Sequence, residues 1–313
     1  MIDLATARRS LGIHKHCEEM VDALAAVGVD ARLTEHPTRS RPTHFHLGNS
    51  TRRLLPRVLA ARRPSLLTLH DVVPRHRALR RAWPALARVV LRGHRYVVHS
   101  SHARLLLSEI GIRGPVEVVR LAVTDRRLPE DEVAATRTDL APDGRPILVS
   151  AGVLKTAKGV LEVLAAAPRF PDLVFAFAGE PGDAATEAAL RVAPSNVVHR
   201  HDLDDEAFDR ILAAADVLLA YRQDWVGEAS APVVRAHALG TPVSGYAGGG
   251  LPEYCGAEDH LVDGSVPVVQ ALRDVQHRLE SGWPRLPLGA PQVTTWAESA
   301  ARHASLYADM GWH

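Results

Sequence analysis

The sequence predicts an α/β protein made of two doubly wound parallel-sheet domains. Three observations carry this: short, near-continuous apolar runs bounded by turn residues, helix-period segments between them, and a length of 313 residues, more than one ordinary core accommodates. Strands buried on both faces lose the in-out alternation of a half-exposed sheet, which is the pattern seen here.

In the first half, a short opening strand (IDLATA) is followed by strands at 31–36, 44–48, 66–71, 96–100 and 116–123. Cys17, Met20, Val21, Leu24 and Val27 recur at helical spacing, with SLGIHKH (10–16) read as the loop in front of them. Leu79, Trp83, Leu86 and Val90 give a second helical face inside an arginine-rich stretch, 75–92. The second half repeats the scheme with strands at 146–152, 173–179, 196–199, 216–221 and 241–247. Residues 124–145 are charged, contain proline and lack clear periodicity, so they read as a linker. The expected domains are 1–143 and 144–285, with a final amphipathic helix in 286–313 packing back on the first.

Composition narrows the function. The first 143 residues carry a net +9 and the remainder −8. Such a basic half suits an anionic partner, although arginine outnumbers lysine 34 to 3, which also fits an arginine-rich proteome. Two cysteines, no bilayer-length apolar run and no signal-peptide core lead to a cytoplasmic expectation. Aromatic residues are too few (5%) to interleave basic patches, so no nucleic-acid partner is expected. Walker A, GxGxxG, GxSxG and HExxH patterns are absent. The pairs His14/His16, His44/His46 and His199/His201 read as sharing a strand face, but none has a Cys or carboxylate at zinc spacing, so no protein-bound metal is expected. The 75–92 helix has an Arg-rich face; peripheral membrane contact is open, and a solvated amphipathic helix is the favoured reading.

The informative stretch is 227–253, GEASAPVVRAHALGTPVSGYAGGGLPE. Pro232 suits a first helical turn, Gly240 a helix end, and the small residues Ser230 and Ala231 leave the helix N-terminus open to an anion. Two of the three lysines, Lys155 and Lys158, fall in GVLKTAKG (152–159), between a strand and a helix, where an ammonium can neutralise a diphosphate.

These two blocks resemble the donor-binding signature of GT-B retaining glycosyltransferases of the family 4 type. The resemblance implies two Rossmann-like domains facing across a cleft and transfer of a sugar, with retention, from a nucleotide-diphosphate sugar to an acceptor hydroxyl. It implies no cofactor beyond that substrate, of UDP or GDP type, and an acceptor that is a small molecule or glycan, with an anionic one left open by the basic half. Lys158 falls on the family's lysine, while Val153 stands where the family has arginine; Lys155 or Arg222 are the candidates to replace that charge. Glu228 takes the sugar-facing position, and Arg235 stands where a second glutamate holds the ribose. GGGLPE is similar to the family's glycine-rich loop, with Glu253 either a donor contact or a structural cap. On the first domain, Gly12 falls in the diphosphate loop and His70 beside the transferred sugar. Asn49, Ser50 and Asp71 are the acceptor-binding candidates, and Ser100 a helix cap. Two other readings fit the architecture: a nucleotide-sugar 2-epimerase, and a catalytically silent partner that activates another transferase.

Overall fold

The computed structural model describes residues 1–7, 11–49, 54–61, 64–124, 126–288 and 293–312. The chain divides into two units: Met1–Ala122 with Val226–Ala229 and Thr294–His313, and Val123–Trp225 with Ser230–Val293.

Unit 1 runs β1 (Ile2–Ala5), α1 (Leu11–Ala26), β2 (Ala31–Thr34), β3 (Thr43–Leu47), α2 (Leu55–Ala60), β4 (Leu66–Leu69), α3 (Arg77–Val90), β5 (Arg95–Val98), α4 (Ser101–Glu109) and β6 (Val116–Val118). Its six strands are all parallel, in the order β2-β1-β3-β4-β5-β6. One face of the sheet buries Phe45, Leu67, Leu69 and Val98 with Ala87, Val90 and Leu107. The other buries Ile2, Leu4, Leu66 and Val97 with Met20 and Leu24 of α1. Full burial of each such side chain stabilises by about 1.5–3 kcal/mol before entropy is counted.

Unit 2 begins at β7 (Ala122–Val123), where the chain leaves unit 1, and continues with α5 (Glu130–Leu140), β8 (Ile147–Ala151), α6 (Val160–Ala166), β9 (Val174–Ala178), α7 (Ala184–Arg191) and β10 (Val197–Arg200). It ends with α8 (Asp205–Ala214), β11 (Val217–Ala220), α9 (Ala231–Ala238), β12 (Val243–Tyr246), β13 (His260–Val262) and α10 (Val268–Glu280). The strand order is β10-β9-β8-β11-β12-β13, again all parallel. The chain then re-enters unit 1 through β14 (Thr294–Thr295) and α11 (Trp296–Asp309). Thr295 and Glu298 form a reciprocal capping box at the start of α11. Ala300, Leu306 and Tyr307 of α11 complete the core of Ile2, Leu4 and Met20.

Several sequence expectations need correction. Residues 130–140 are not linker but α5, a helix of unit 2; Arg137 ties it to the Ala214 carbonyl (2.8 Å) and Asp216 (3.0 Å). A helix held by ion pairs shows no apolar stripe, which is why its period was invisible. The run 116–123 is two strands, broken at 119–121. Helix α1 starts at Leu11, so Gly12, His14 and His16 are helical rather than in a loop or on a strand. On α3 the buried side is Ala87 and Val90, whereas Leu79 and Leu86 are exposed. The short β13 was not expected at all.

Candidate functional site

In unit 2 the strand order reverses between β8 and β11, and in such sheets ligands bind beyond the carboxyl ends of the strands at that reversal. Gly152 follows β8 there. A Cβ placed on Gly152 would lie 3.1 Å from Pro232 Cγ in the first turn of α9 and 3.5 Å from Lys158 Nζ. The rare lysine and the helix tip therefore meet over one glycine. Lys158 closes a 3-10 turn, Thr156–Lys158, and the next residue turns the chain back under β11. Gly159 has φ +77, and a Cβ there would stand 2.5 Å from the Tyr221 carbonyl oxygen, so the return requires glycine. Ser230 is the N-cap of α9 and its side chain makes no capping bond to the helix.

The other donor residues predicted in the second half also lie in unit 2. Lys155 is exposed and lays its stem across Gly182. Arg222 follows Tyr221, with its guanidinium 5.3 Å from the Trp225 ring centre. Glu253 ends the short turn Leu251–Glu253. The glycines before it have a structural reason, since a Cβ on Gly249 would collide with Trp225. Arg235, at the family's second-glutamate position, faces α8: Nε is 2.7 Å from Asp209 Oδ1 and Nη1 3.2 Å from Asp205, over the Phe208 ring. Val153 is half exposed (50%).

Glu228 does not group with the donor half of the chain. The segment Val226–Ala229 belongs to unit 1, where the Val72 N–H donates to the Val226 carbonyl at 2.8 Å. Buried Glu228 accepts from Arg75 Nη2 through Oε1 (2.9 Å) and from the Val226 N–H through Oε2 (2.7 Å). The same guanidinium nitrogen is 2.8 Å from Asp71 Oδ1. Asp71 Oδ2 accepts from the Asn49 N–H at 2.8 Å, and the Asn49 side chain joins the Val73 carbonyl to the Arg75 N–H. Asn49 thus holds the 71–75 turn. Asn49 and Asp71 also line a small cavity of about 30 Å³ with Trp83 and Pro74. A Cβ added to Gly12, in the first turn of α1, would meet nothing among the described residues within 4 Å, and Ser50 lies outside the described residues. Ser100 caps α4, accepting from the Ala103 N–H at 3.1 Å. Arg75 escaped the sequence reading because it counted as one of many helix-face arginines.

His70 sits in a nest of imidazoles. Its Nε2 is 3.1 Å from His46 Nδ1, and its Nδ1 is 3.2 Å from His99 Nε2. His16 of α1 packs edge-on against it, with ring centres 5.0 Å apart. Behind them His44 contacts Tyr307 and Thr68, each at 2.7 Å. Burial, reinforced by neighbouring imidazoles, holds His16, His44, His46 and His70 well below the ordinary histidine range; burial does the same more mildly to His99. These rings are neutral at pH 7. One ring nitrogen from each of His16, His70 and His99 lies within 4.8 Å of the other two, a convergence that pair spacing along the chain did not reveal. In unit 2, buried His237 donates to Asp259 (3.1 Å), whose carboxylate also takes the Val243 and Gly256 N–H groups.

A wider cavity of about 460 Å³ opens beside the start of β3, lined by His36, Arg39, Arg41, Arg57 and Trp312; it holds none of the predicted site residues.

No protein-family model and no curated protein sequence matches the chain. Solved structures do. Sucrose-phosphate synthase from Thermosynechococcus elongatus superposes with a TM-score of 0.80 at 17% identity, over 99% of this chain and 98% of that one. Anabaena HepE, solved in complex with UDP-glucose, gives 0.72 at 14% identity over 97% and 94%. AviGT4, a glycosyltransferase involved in avilamycin A biosynthesis, gives 0.64 at 16% identity over 99% and 97%. The chain has the GT-B fold of these glycosyltransferases, and no helix among the described residues is long and apolar enough to cross a membrane.

Proposed function

We propose that this protein is a retaining glycosyltransferase that moves a sugar from a nucleotide-diphosphate donor to an acceptor hydroxyl. The observation that carries the reading is the meeting of Lys158 Nζ and the first turn of α9 over Gly152, at the strand-order reversal of unit 2. There the ammonium and the helix dipole act on the same diphosphate and stabilise it as it departs. Ser230 and Ala231 supply the helix tip, with Arg222 and Glu253 at the edge of the donor pocket. HepE was crystallised with UDP-glucose and UDP, which favours a uridine donor here.

In unit 1, Glu228 and Asp71 serve as hydroxyl acceptors, held in place by Arg75. An ionised carboxylate only accepts, which suits both side chains to a donated sugar hydroxyl. His70 contributes as a wall of the sugar site rather than through a ring nitrogen, because both nitrogens face other imidazoles. Retention places the attacking hydroxyl on the face the diphosphate leaves, so the leaving group itself is the nearest base for its proton.

Nucleoside diphosphates titrated into the protein test the reading. Lys158→Ala is expected to weaken UDP or GDP binding by about 10- to 100-fold, the value of one charge-assisted contact. Undiminished binding by Lys158→Ala removes the leaving-group role. The exposed Val153 in place of arginine favours a second reading, a silent partner protein. Release of nucleoside diphosphate from a donor by the purified protein excludes it; a new epimer of the nucleotide-sugar, formed when the donor is incubated alone, points instead to a 2-epimerase.

A further inference from the structure

The imidazole nest of unit 1 carries an inference that goes beyond sugar transfer and does not depend on it. We propose that His16, His70 and His99 form a binding site for one divalent ion of the zinc class.

Three separate elements deliver the ligands: His16 from α1, His70 from the end of β4 and His99 from the end of β5. One nitrogen from each lies within 4.8 Å of the other two. The His99 ring has a fixed tautomer. Its Nδ1 is 2.9 Å from the Val119 carbonyl, which can only accept, so Nδ1 carries the proton and Nε2 presents a lone pair. A ligating histidine is oriented in this way when its second nitrogen donates to a backbone carbonyl.

His70 Nδ1 is 3.2 Å from that lone pair. Two nitrogens on one tetrahedral zinc, each about 2.0–2.1 Å from the ion, are separated by about 3.3–3.4 Å. The pair is already at ligand spacing, and a turn of the His16 ring brings the third nitrogen in. When His70 ligates through Nδ1, its proton resides on Nε2 and is donated to His46 Nδ1, 3.1 Å away. His46 then holds its own proton on Nε2, a buried atom with no partner among the described residues. Proton count is unchanged, so neutral imidazoles take up the ion without releasing acid. His46 is thereby a positioning residue.

The donor set also selects the ion. Three imidazoles and no carboxylate suit Zn²⁺ or Co²⁺ and disfavour Mg²⁺ and Ca²⁺, which require oxygen ligands. His16 is 9% exposed and His70 half-buried, so the nest is reached from the surface through these two rings, and water would complete four-coordination.

The test uses the full chain, stripped with chelator and free of nucleotide. Zn²⁺ is titrated calorimetrically, and Co²⁺ is followed by its visible absorption. One ion per chain is expected, with the intense bands of four-coordinate Co²⁺ and no response to Mg²⁺. His16→Ala and His99→Ala are each expected to weaken Zn²⁺ binding by at least about 100-fold, and His46→Asn by about 10- to 100-fold. His277→Ala, at an exposed histidine of unit 2, is expected to change nothing. Wild-type protein that takes up no Zn²⁺, or a His16→Ala and His99→Ala pair that keeps full affinity, overturns the proposal. Should those variants misfold, the wild-type Co²⁺ spectrum still decides. Nucleoside diphosphate binding is measured separately, so either idea can fail alone.

Discussion

The two units end their parallel strands in opposite electrostatic styles. Unit 2 offers Lys158 and a helix tip around one glycine, with little side-chain bulk in between. Unit 1 packs its strand ends with neutral imidazoles and sets Arg75 between the carboxylates of Asp71 and Glu228. One end gathers positive charge; the other sets two carboxylates against a single guanidinium, beside rings that carry no charge. Two similar sheets therefore differ in electrostatics because of a handful of residues just past the strands.

Acid should expose this contrast most strongly. Burial lowers His303 to about 4 and holds His44 well below 6.5. An unfolded chain protonates these rings from about pH 6.5 downward while the folded one does not, so folding stability is full above that value and declines as pH falls toward 4. For His303 alone the loss is on the order of 3 kcal/mol. A metal-free melting series from pH 7.5 to 4.5 should show a falling Tm, and His303→Gln should flatten it. A flat wild-type profile would break the contrast between the units.

A smaller effect is expected from Gly159→Ala in unit 2. The left-handed backbone and the Tyr221 carbonyl oppose any Cβ, at a cost of about 1–3 kcal/mol in urea unfolding. Nucleotide affinity should fall as well, because the same turn delivers Lys158. Unchanged affinity would mean that Lys158 is positioned by something other than this turn. The smallest change sharpens the comparison from unit 1: Ser100→Ala removes the α4 cap and should cost about 1 kcal/mol, without affecting nucleotide binding.

How much of this could be read from the chain alone depends on distance along it. Lys158 and the tip of α9 were legible because each sits in a local pattern, a scarce residue in a strand-to-helix turn and a proline-started helix. The positions of most strands and their burial on both faces followed from apolar runs. The imidazole nest was not legible, since its members come from positions 16, 46, 70 and 99 and no spacing rule links them. The pairing of Glu228 with Arg75 was hidden for the same reason, being 153 positions apart. Helix α5 was missed because ion pairs, not an apolar stripe, hold it to unit 2.

Helix α11 has a consequence for how the molecule is made. The sheet containing Ile2 and Leu4 cannot seal its core until Leu306 and Tyr307 arrive from the far end of the polypeptide. A ribosome thus emits the opening strands and α1 long before the rest of their lining exists, leaving part of that face sticky until α11 is made. Release of a fragment ending near residue 122 should give a protein that clumps, whereas supplying residues 294–312 in trans should rescue its solubility.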